Sequence, residues 1–205
     1  MTTPAADVLS TPRAGEPTWN IAHLFPLQGS WSEAEYLALD SNRLLEFSNG
    51  HLEVLPAPTD LHQAILAFLY ETFSAFVGPG KLGKVRFAAL PMRLWEGKYR
   101  EPDLLFLLTE HAARRHAQYW DGADLVLEVV SNSERRRDLE IKRNEYEKAG
   151  ISEYWIVDPR NSQITVLHLD NGQYAEHGIF PKGSHAMSGL LPDFKVDVSA
   201  VFAVE

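Results

Sequence analysis

The most informative segment of the chain reads Asp124-Leu125-Val126-Leu127-Glu128-Val129-Val130-Ser131. Its nearly continuous apolar run is typical of a central strand that is buried on both faces of a sheet. A carboxylate within such a strand costs free energy unless it is paired or binds a metal ion. Glu128 is therefore a candidate functional residue. The alternative is a glutamate near the strand end that faces water or an arginine.

A helix and two strands are predicted after this segment. Ser131–Glu134 has the capping-box pattern, so a charged helix is expected to begin there, to run to about Ala149 and to end at Gly150. Residues 153–157 and 163–169 are then predicted as strands.

The elements before the segment add to the same sheet. A helix is predicted from about Leu61 to Val77, because its apolar residues recur at a helical period. Residues 84–95 and 103–108 are predicted as strands. Together these elements predict an α/β (α+β) domain over residues 30–205, with a helix on either side of its central strands.

The N-terminal part is expected to be an arm followed by a hairpin. Residues 1–29 mix Pro, Thr, Ala and Gly without clear periodicity and are interpreted as a loosely ordered arm. Ser32-Glu33-Ala34-Glu35 is a capping box that opens a short helix. Strands are predicted at residues 44–47 and 51–55. Asn49-Gly50 between them is a strong hairpin signal, since both turn positions need positive φ.

Composition and charge bound the class of protein. The chain has no cysteine, which excludes disulfides and thiolate metal sites and fits a cytoplasmic location. No apolar run reaches the roughly 18 residues that span a bilayer, and no signal peptide is visible. The net charge of -9 argues against broad, nonspecific affinity for nucleic acid. Residues 81–115 nevertheless hold eight Lys and Arg against four Asp and Glu, which indicates either a basic face or ordinary surface charge.

Two further groups of polar residues accompany Glu128. Asp103 follows Pro102 at the start of a predicted strand, although Pro-Asp pairs also begin many ordinary turns. Asp138, Lys142 and Tyr146 are spaced i, i+4, i+8, which places them along one stripe of the predicted helix. This stripe either faces inward or forms a solvated ion pair.

The combination of these groups favours metal-assisted hydrolysis of phosphodiesters. Two carboxylates from adjacent strands can hold Mg²⁺, or Mn²⁺ as a substitute, through oxygen ligands. Such an ion polarises a phosphodiester and lowers the pKa of its bound water. An ammonium nearby would stabilise the charge that develops on the phosphate. Asp103 and Glu128 are the candidate metal ligands, and Lys142 is the third candidate catalytic residue.

The sequence resembles the Uma2 family in the order and spacing of its motifs. The matching motifs are Arg100-Glu101-Pro102-Asp103, the segment Asp124–Ser131, the set Asp138, Lys142 and Tyr146, and Gly150–Pro159, preceded by Glu46–Gly50, Pro56-Ala57-Pro58 and His62. The resemblance covers roughly residues 30 to 200. The family is assigned to the PD-(D/E)xK nuclease superfamily. The resemblance therefore implies a restriction-endonuclease-like central mixed sheet flanked by helices, with the N-terminal hairpin as an extension.

The resemblance also implies roles for individual residues. Asp103 and Glu128 correspond to the motif acids. The superfamily pattern would place a lysine where this chain has Val130, and the resemblance implies that Lys142 on the following helix takes its place.

Other residues at family positions are candidate supporting residues. Glu46 is a further candidate carboxylate for the metal site, whereas His62 is expected to cap or pack rather than to bind metal. Asp138 and Tyr146 are also candidate supporting residues of the site. Candidate contacts to DNA phosphates are Arg100, Arg135, Arg136 and Arg137, with a solvated helix start as the alternative for the last three.

The leading hypothesis is a cytoplasmic, Mg²⁺-dependent endonuclease that hydrolyses DNA. One alternative is a catalytically weak or inactive nuclease-fold protein that serves as a binding or regulatory module, which Val130 and the acidic surface favour. Another is a nuclease that acts on RNA or branched nucleic acid. A homodimer is expected, because double-strand cleavage needs two sites and twofold symmetry is the commonest way to present them.

Overall fold

The computed structural model describes residues 25–39, 41, 43–131 and 135–204, without the side chain of Asp138. The strands of these residues form sheets of six, five and two strands. They are β1 (Leu45–Ser48), β2 (His51–Val54), β3 (Gly83–Phe87), β4 (Met92–Trp95), β5 (Lys98–Arg100), β6 (Leu104–Leu108), β7 (Trp120–Asp121), β8 (Leu125–Val129), β9 (Glu153–Asp158), β10 (Gln163–Asp170), β11 (Gln173–Pro181), β12 (His185–Met187) and β13 (Lys195–Asp197). The α-helices are α1 (Glu33–Leu37), α2 (Asp60–Val77), α3 (Arg143–Ala149) and α4 (Val198–Val201).

The six-stranded sheet is mixed and has the order β11-β10-β9-β8-β6-β3. Strand β8 runs parallel to β9 and antiparallel to β6. A parallel pair needs a crossover connection, and α3 supplies it between β8 and β9. All five residues of β8 are buried. These findings confirm the predicted central strand and the mixed sheet.

Helices cover both faces of this sheet. Helix α2 and the short α4 pack on one face, where Ile65, Leu69 and Phe73 of α2 join a core with Leu125 and Leu127 of β8. The opposite face of β8 packs against α3 and the five-stranded sheet. Alternate residues of one strand thus serve two cores, as the pleat of a strand dictates.

The five-stranded sheet, of order β2-β1-β5-β4-β7, lies beside α3 and carries the predicted hairpin. Asn49 and Gly50 have φ values of 47° and 82°, which confirms the turn signal. Helix α1 has the predicted capping box, with reciprocal hydrogen bonds between Ser32 and Glu35. Its Tyr36 packs on Phe47 of β1.

The described end of the predicted N-terminal arm docks on this hairpin. The side-chain amide of Gln28 both donates to and accepts from the backbone of Leu52, at 3.0 and 2.8 Å. The backbone N–H of Gly29 donates to the carbonyl of Gly50 at 2.7 Å. The rest of the predicted arm, residues 1–24, lies outside the described residues.

Two details differ from the sequence-based expectations or lie beyond them. The single strand predicted at residues 84–95 is wrong, because the chain leaves the large sheet after β3 and enters the small sheet at β4. Pro91 precedes β4 and lacks the N–H that a continuous strand would need.

The capping box predicted at Ser131–Glu134 includes residues outside the described part of the chain. The helix that follows starts with a π-helical turn, Arg137–Lys142, and then continues as α3.

None of the helices in the described part of the chain combines the length and the apolar character that crossing a bilayer requires.

Candidate active site

Asp103 directly precedes β6 and lies beside the last residues of β8. The β6–β8 register pairs Leu104 with Leu127, so its continuation by one residue sets Asp103 opposite Glu128. The backbone N–H of Val129 donates to Oδ2 of Asp103 at 2.7 Å. This hydrogen bond fixes the Asp103 carboxylate next to the strand residue that follows Glu128. The two predicted acids are therefore neighbours in the folded chain.

His62 also contacts Asp103. Its Nε2 lies 3.1 Å from Oδ2 of Asp103, and only 14% of its side chain is exposed. An ionised carboxylate can only accept, so Nε2 is the donor in this contact. Helix α2 brings the imidazole there because its N-cap, Thr59, accepts from the His62 backbone N–H and sets the first turn beside the sheet. His62 thus contacts the Asp103 carboxylate, and its expected role as a capping or packing residue stays a prediction.

Glu128 is 2% exposed and has two side-chain partners on the helix that follows β8. The hydroxyl of Tyr146 donates to its Oε1 at 2.6 Å, and Nζ of Lys142 lies 2.8 Å from its Oε2. Lys142 and Tyr146 are four residues apart, one helical turn, so they reach the same carboxylate. The positional part of the Lys142 prediction is confirmed. The Asp138 side chain lies outside the described structure.

Burial explains why Tyr146 is the donor in this contact. Burial, and then the negative charge of Glu128, raise the pKa of Tyr146 well above its ordinary value. The phenol therefore keeps its proton and supplies it to the hydrogen bond with the Glu128 carboxylate.

A layer of buried ion pairs lies behind Lys142. Glu46 of β1 accepts hydrogen bonds from both Arg100 and Arg137, and from the backbone N–H of Glu101 at 3.2 Å. Burial acts to raise the pKa of Glu46, but the charges of Lys142, Arg100 and Arg137 together hold it below its ordinary value. Glu46 is thus an ionised group within electrostatic reach of Lys142. Its carboxylate is already engaged by two arginines, and this argues against the suggested role of Glu46 as a metal ligand.

Further ion pairs extend this layer to the next strand and helix. Arg137 also pairs with Glu53 of β2. Arg100 donates from Nε to Glu145 Oε2 at 2.6 Å, and Nζ of Lys98 lies 2.8 Å from Glu145 Oε1. Burial acts to raise the pKa of Glu145, but Arg100 and Lys98 hold it below its ordinary value. The hairpin, β5 and α3 are therefore joined by charge pairs beneath the candidate site.

Sequence reasoning missed Lys98, Glu53 and Glu145 as members of this layer. Only Glu145 carried a local signal, because it lies three residues after Lys142 and so near the same helix face. Lys98 and Glu53 are ordinary strand charges in the sequence, and only the pairing of distant strands brings them to the site.

The predicted phosphate-binding arginines fall into two groups. Arg100 and Arg137 are buried in the ion pairs with Glu46, and Arg135 is held by Asp158 through two hydrogen bonds of 2.9 and 2.5 Å. Arg136 is 83% exposed and pairs with Glu140 at 3.1 Å. All four guanidinium groups thus have a carboxylate partner within the protein, and the pairing of Arg100, Arg137 and Arg135 argues against their proposed contacts with phosphate, whereas Arg136 stays largely exposed.

The acidic pair suits a Mg²⁺ ion that shares its ligands with water and substrate. Within the described residues, no three His, Asp or Glu side chains converge on a point that could hold a metal. Mg²⁺ in phosphoryl-transfer sites is commonly bound through only one or two carboxylates together with substrate oxygens. Oδ1 of Asp103 accepts no hydrogen bond from the described residues, since its contacts are made by Oδ2. Asp103 and Glu128 therefore fit as a two-carboxylate set.

A mixed sheet that carries two neighbouring acids and a helix ammonium at one end of its central strands defines a nuclease-like α/β fold. The chain belongs to the Uma2 family, whose model matches residues 33–199 and is described as a putative restriction endonuclease.

The chain shares its fold with solved structures. One of them is the crystal structure of a putative nuclease belonging to DUF820 from Anabaena variabilis ATCC 29413, with a TM-score of 0.69 and 14% sequence identity. The match covers 84% of this chain and 98% of that chain. At this identity the likeness concerns the fold alone. No curated protein matches the chain.

Proposed function

We propose that the protein is an endonuclease that hydrolyses DNA phosphodiester bonds with the help of a divalent cation. The observation that carries the proposal is the position of Asp103 beside Glu128, with the Lys142 ammonium 2.8 Å from Glu128. Two acids from adjacent strands and one ammonium are the groups that metal-assisted phosphodiester hydrolysis needs.

Asp103 and Glu128 would hold the cation, Mg²⁺ or Mn²⁺. When bound there, the ion would polarise the phosphodiester and lower the pKa of a water molecule. His62 orients Asp103 by donating to Oδ2, and this leaves Oδ1 available for binding. The Tyr146 hydroxyl orients Glu128 by donating to its Oε1, while Lys142 lies at its Oε2.

Lys142 would stabilise negative charge on the reacting phosphate. Its Nζ has three donors and no acceptor, so it can bind Glu128 and a phosphate oxygen together but cannot ligate a metal. The charge of this ammonium in turn helps to keep the pKa of the buried Glu46 carboxyl below its ordinary value.

A cleavage assay tests the proposal. Supercoiled plasmid, single-stranded DNA, RNA and a branched duplex are each incubated with the protein in Mg²⁺, Mn²⁺ or EDTA. We expect plasmid cleavage with either metal and none in EDTA. Glu128→Ala should abolish it, whereas Glu176→Gln, which changes an exposed glutamate on β11, should leave it unchanged. Equal cleavage by the wild type and Glu128→Ala would overturn the proposal.

A second candidate function is a nuclease-fold module that binds nucleic acid without cutting it. The observation in its favour is that both oxygens of Glu128 already have partners, Lys142 and Tyr146. In the same assay, this function predicts that no substrate is cleaved in Mg²⁺ or Mn²⁺. Cleavage of RNA alone would instead assign the same chemistry to a ribonuclease.

A further inference from the structure

A basic surface lies along the free edge of the large sheet. Strand β3 is the edge strand, and its Lys84 and Arg86 are exposed. Arg86 lines a cavity of about 440 Å³ together with Arg115 and His116, which follow the turn of 3-10 helix after β6. A second cavity, of about 410 Å³, is lined by Lys81, Lys84 and again Arg115. Because both cavities share Arg115, we call them together the basic groove.

The cations of the basic groove differ from the other cations of residues 81–115. Arg93, Lys98 and Arg100 each pair with a carboxylate, whereas the groove residues Lys81, Lys84, Arg86 and Arg115 pair with none in the described part of the chain. No acidic side chain of the described residues lines either cavity. The local excess of positive charge is therefore concentrated in the groove, on a chain whose net charge is -9.

The groove and the candidate active site lie on the same side of the sheet. Val85 belongs to the core under α2, so its neighbours Lys84 and Arg86 point to the other face. That face is the one on which Glu128 meets Tyr146.

Strand β3 also leads to the site, because the backbone N–H of Ala88 donates to the carbonyl of Asp103 at 3.1 Å. Arg86 is two residues, or about 7 Å, from Ala88.

We propose that the basic groove binds the phosphate backbone of a nucleic acid and leads it to Asp103 and Glu128. This inference rests on the proposed nuclease function and gives it a substrate-binding surface. Cations without acidic partners in a concave surface are the arrangement that polyanion binding requires. Cations on an edge strand also prevent pairing with other sheets. That role concerns β3 alone and does not account for Arg115 and His116, which come from another element.

The test is a binding titration that does not depend on cleavage. A fluorescein-labelled DNA duplex is titrated in EDTA at several salt concentrations with the wild type and with the triple variant Lys84→Ala/Arg86→Ala/Arg115→Ala. The matched control is Arg160→Ala/Lys182→Ala/Lys195→Ala, which removes the same charge from exposed positions elsewhere. We expect the groove variant to bind at least about tenfold more weakly. The slope of log K against log salt concentration should become shallower by about 2 to 3, because each phosphate contact contributes about 0.9 to its magnitude. The control should change binding less than about twofold.

Equal affinity and equal slope in the two triple variants would overturn the inference, and so would a wild type that does not bind the duplex. These outcomes are distinguishable from failure of the proposed function. If the groove variant loses binding but the wild type cleaves nothing in Mg²⁺ or Mn²⁺, the groove stands and the nuclease proposal fails. If the wild type cleaves and the groove variant binds and cleaves like the control, the nuclease proposal stands and the groove inference fails.

Discussion

The ion pair between Glu128 and Lys142 lies in the protein interior, where an isolated charge is costly. Their side chains are only 2% and 6% exposed, so neither can regain much water. Replacing both partners of such a pair costs little, but removing one leaves the other with an uncompensated charge. The pair therefore holds the candidate catalytic groups in place and links catalysis to stability.

Replacing Lys142 should lower both stability and activity. We expect Lys142→Met to lower the free energy of unfolding by about 3–5 kcal/mol, because it removes the ammonium beside a buried carboxylate. Arg136→Met, on the same helix, removes an exposed pair and should cost at most about 0.5 kcal/mol. Urea unfolding followed by circular dichroism measures both. Equal losses of unfolding free energy in the two variants would contradict the stabilising role of the buried pair. So would a double variant, Lys142→Met/Glu128→Gln, that is no more stable than Lys142→Met.

Glu101 should make stability fall as the pH rises. Burial is the main cause that raises its pKa to about 7, from an ordinary 4.5. Between these values the unfolded chain loses the proton while the folded chain keeps it, so the folded state loses stability as the pH rises through this window. Glu101→Gln should therefore raise the melting temperature more at pH 8 than at pH 5. An equal change at both pH values would reject this account of Glu101.

At the level of elements, the hairpin shows what local sequence can and cannot predict. Asn49-Gly50 predicted the turn because positive φ at both positions is a local property of these two residues. The docking of Gln28 and Gly29 on the hairpin had no such signal, since it depends on contacts with residues more than 20 positions away.

A pair of glycine variants separates these two effects. Gly50 and Gly172 have φ values of 82° and 80°, so alanine at either should cost about 1–2 kcal/mol of backbone strain. A Cβ at Gly50 would also lie 2.6 Å from the carbonyl oxygen of Gly29, whereas a Cβ at Gly172 meets nothing within 4 Å. Gly50→Ala should therefore lower the melting temperature clearly more than Gly172→Ala. Equal shifts would show that residues 25–29 do not rest on the hairpin.

The wrong prediction for residues 84–95 has a related cause. Hydrophobic patterning indicates that a segment is a strand but not which sheet it joins. Strand β3 pairs with β6 in the large sheet, and β4 pairs with β5 in the small one. The break at Pro91 was the one local indication of the change.

At the level of the whole molecule, the candidate site combines local and distant contacts. Glu128 lies on a strand, and Lys142 and Tyr146 lie on the helix that follows it, so their spacing placed Lys142 and Tyr146 on one stripe of that helix, and the family resemblance assigned Lys142 to the site. Glu46 is 54 residues from Arg100 and 91 from Arg137, and no sequence spacing links them. The topology of the sheets brings them together. For this reason the acids and the lysine were predictable, whereas the layer of ion pairs beneath them was not.

The oligomeric state is a prediction for the whole molecule. Cleavage of both strands of a duplex needs two active sites, and a twofold dimer is the commonest way to supply them. We expect light scattering at micromolar concentration to give twice the 23.1 kDa of one chain. A mass of one chain, with plasmid linearised in a single binding event, would reject the dimer.

The dependence of the cleavage rate on Mn²⁺ concentration is the decisive measurement for the roles of Asp103 and Glu128. Initial rates on plasmid DNA are measured for the wild type, Asp103→Asn, Glu128→Gln and Glu176→Gln over a range of Mn²⁺ concentrations. We predict a saturable rise for the wild type and Glu176→Gln. Asp103→Asn should need at least about tenfold more Mn²⁺, because a neutral amide is a poorer ligand than a carboxylate. Glu128→Gln should show no cleavage at any concentration. Identical curves for all four proteins would contradict the proposal that Asp103 and Glu128 hold the ion.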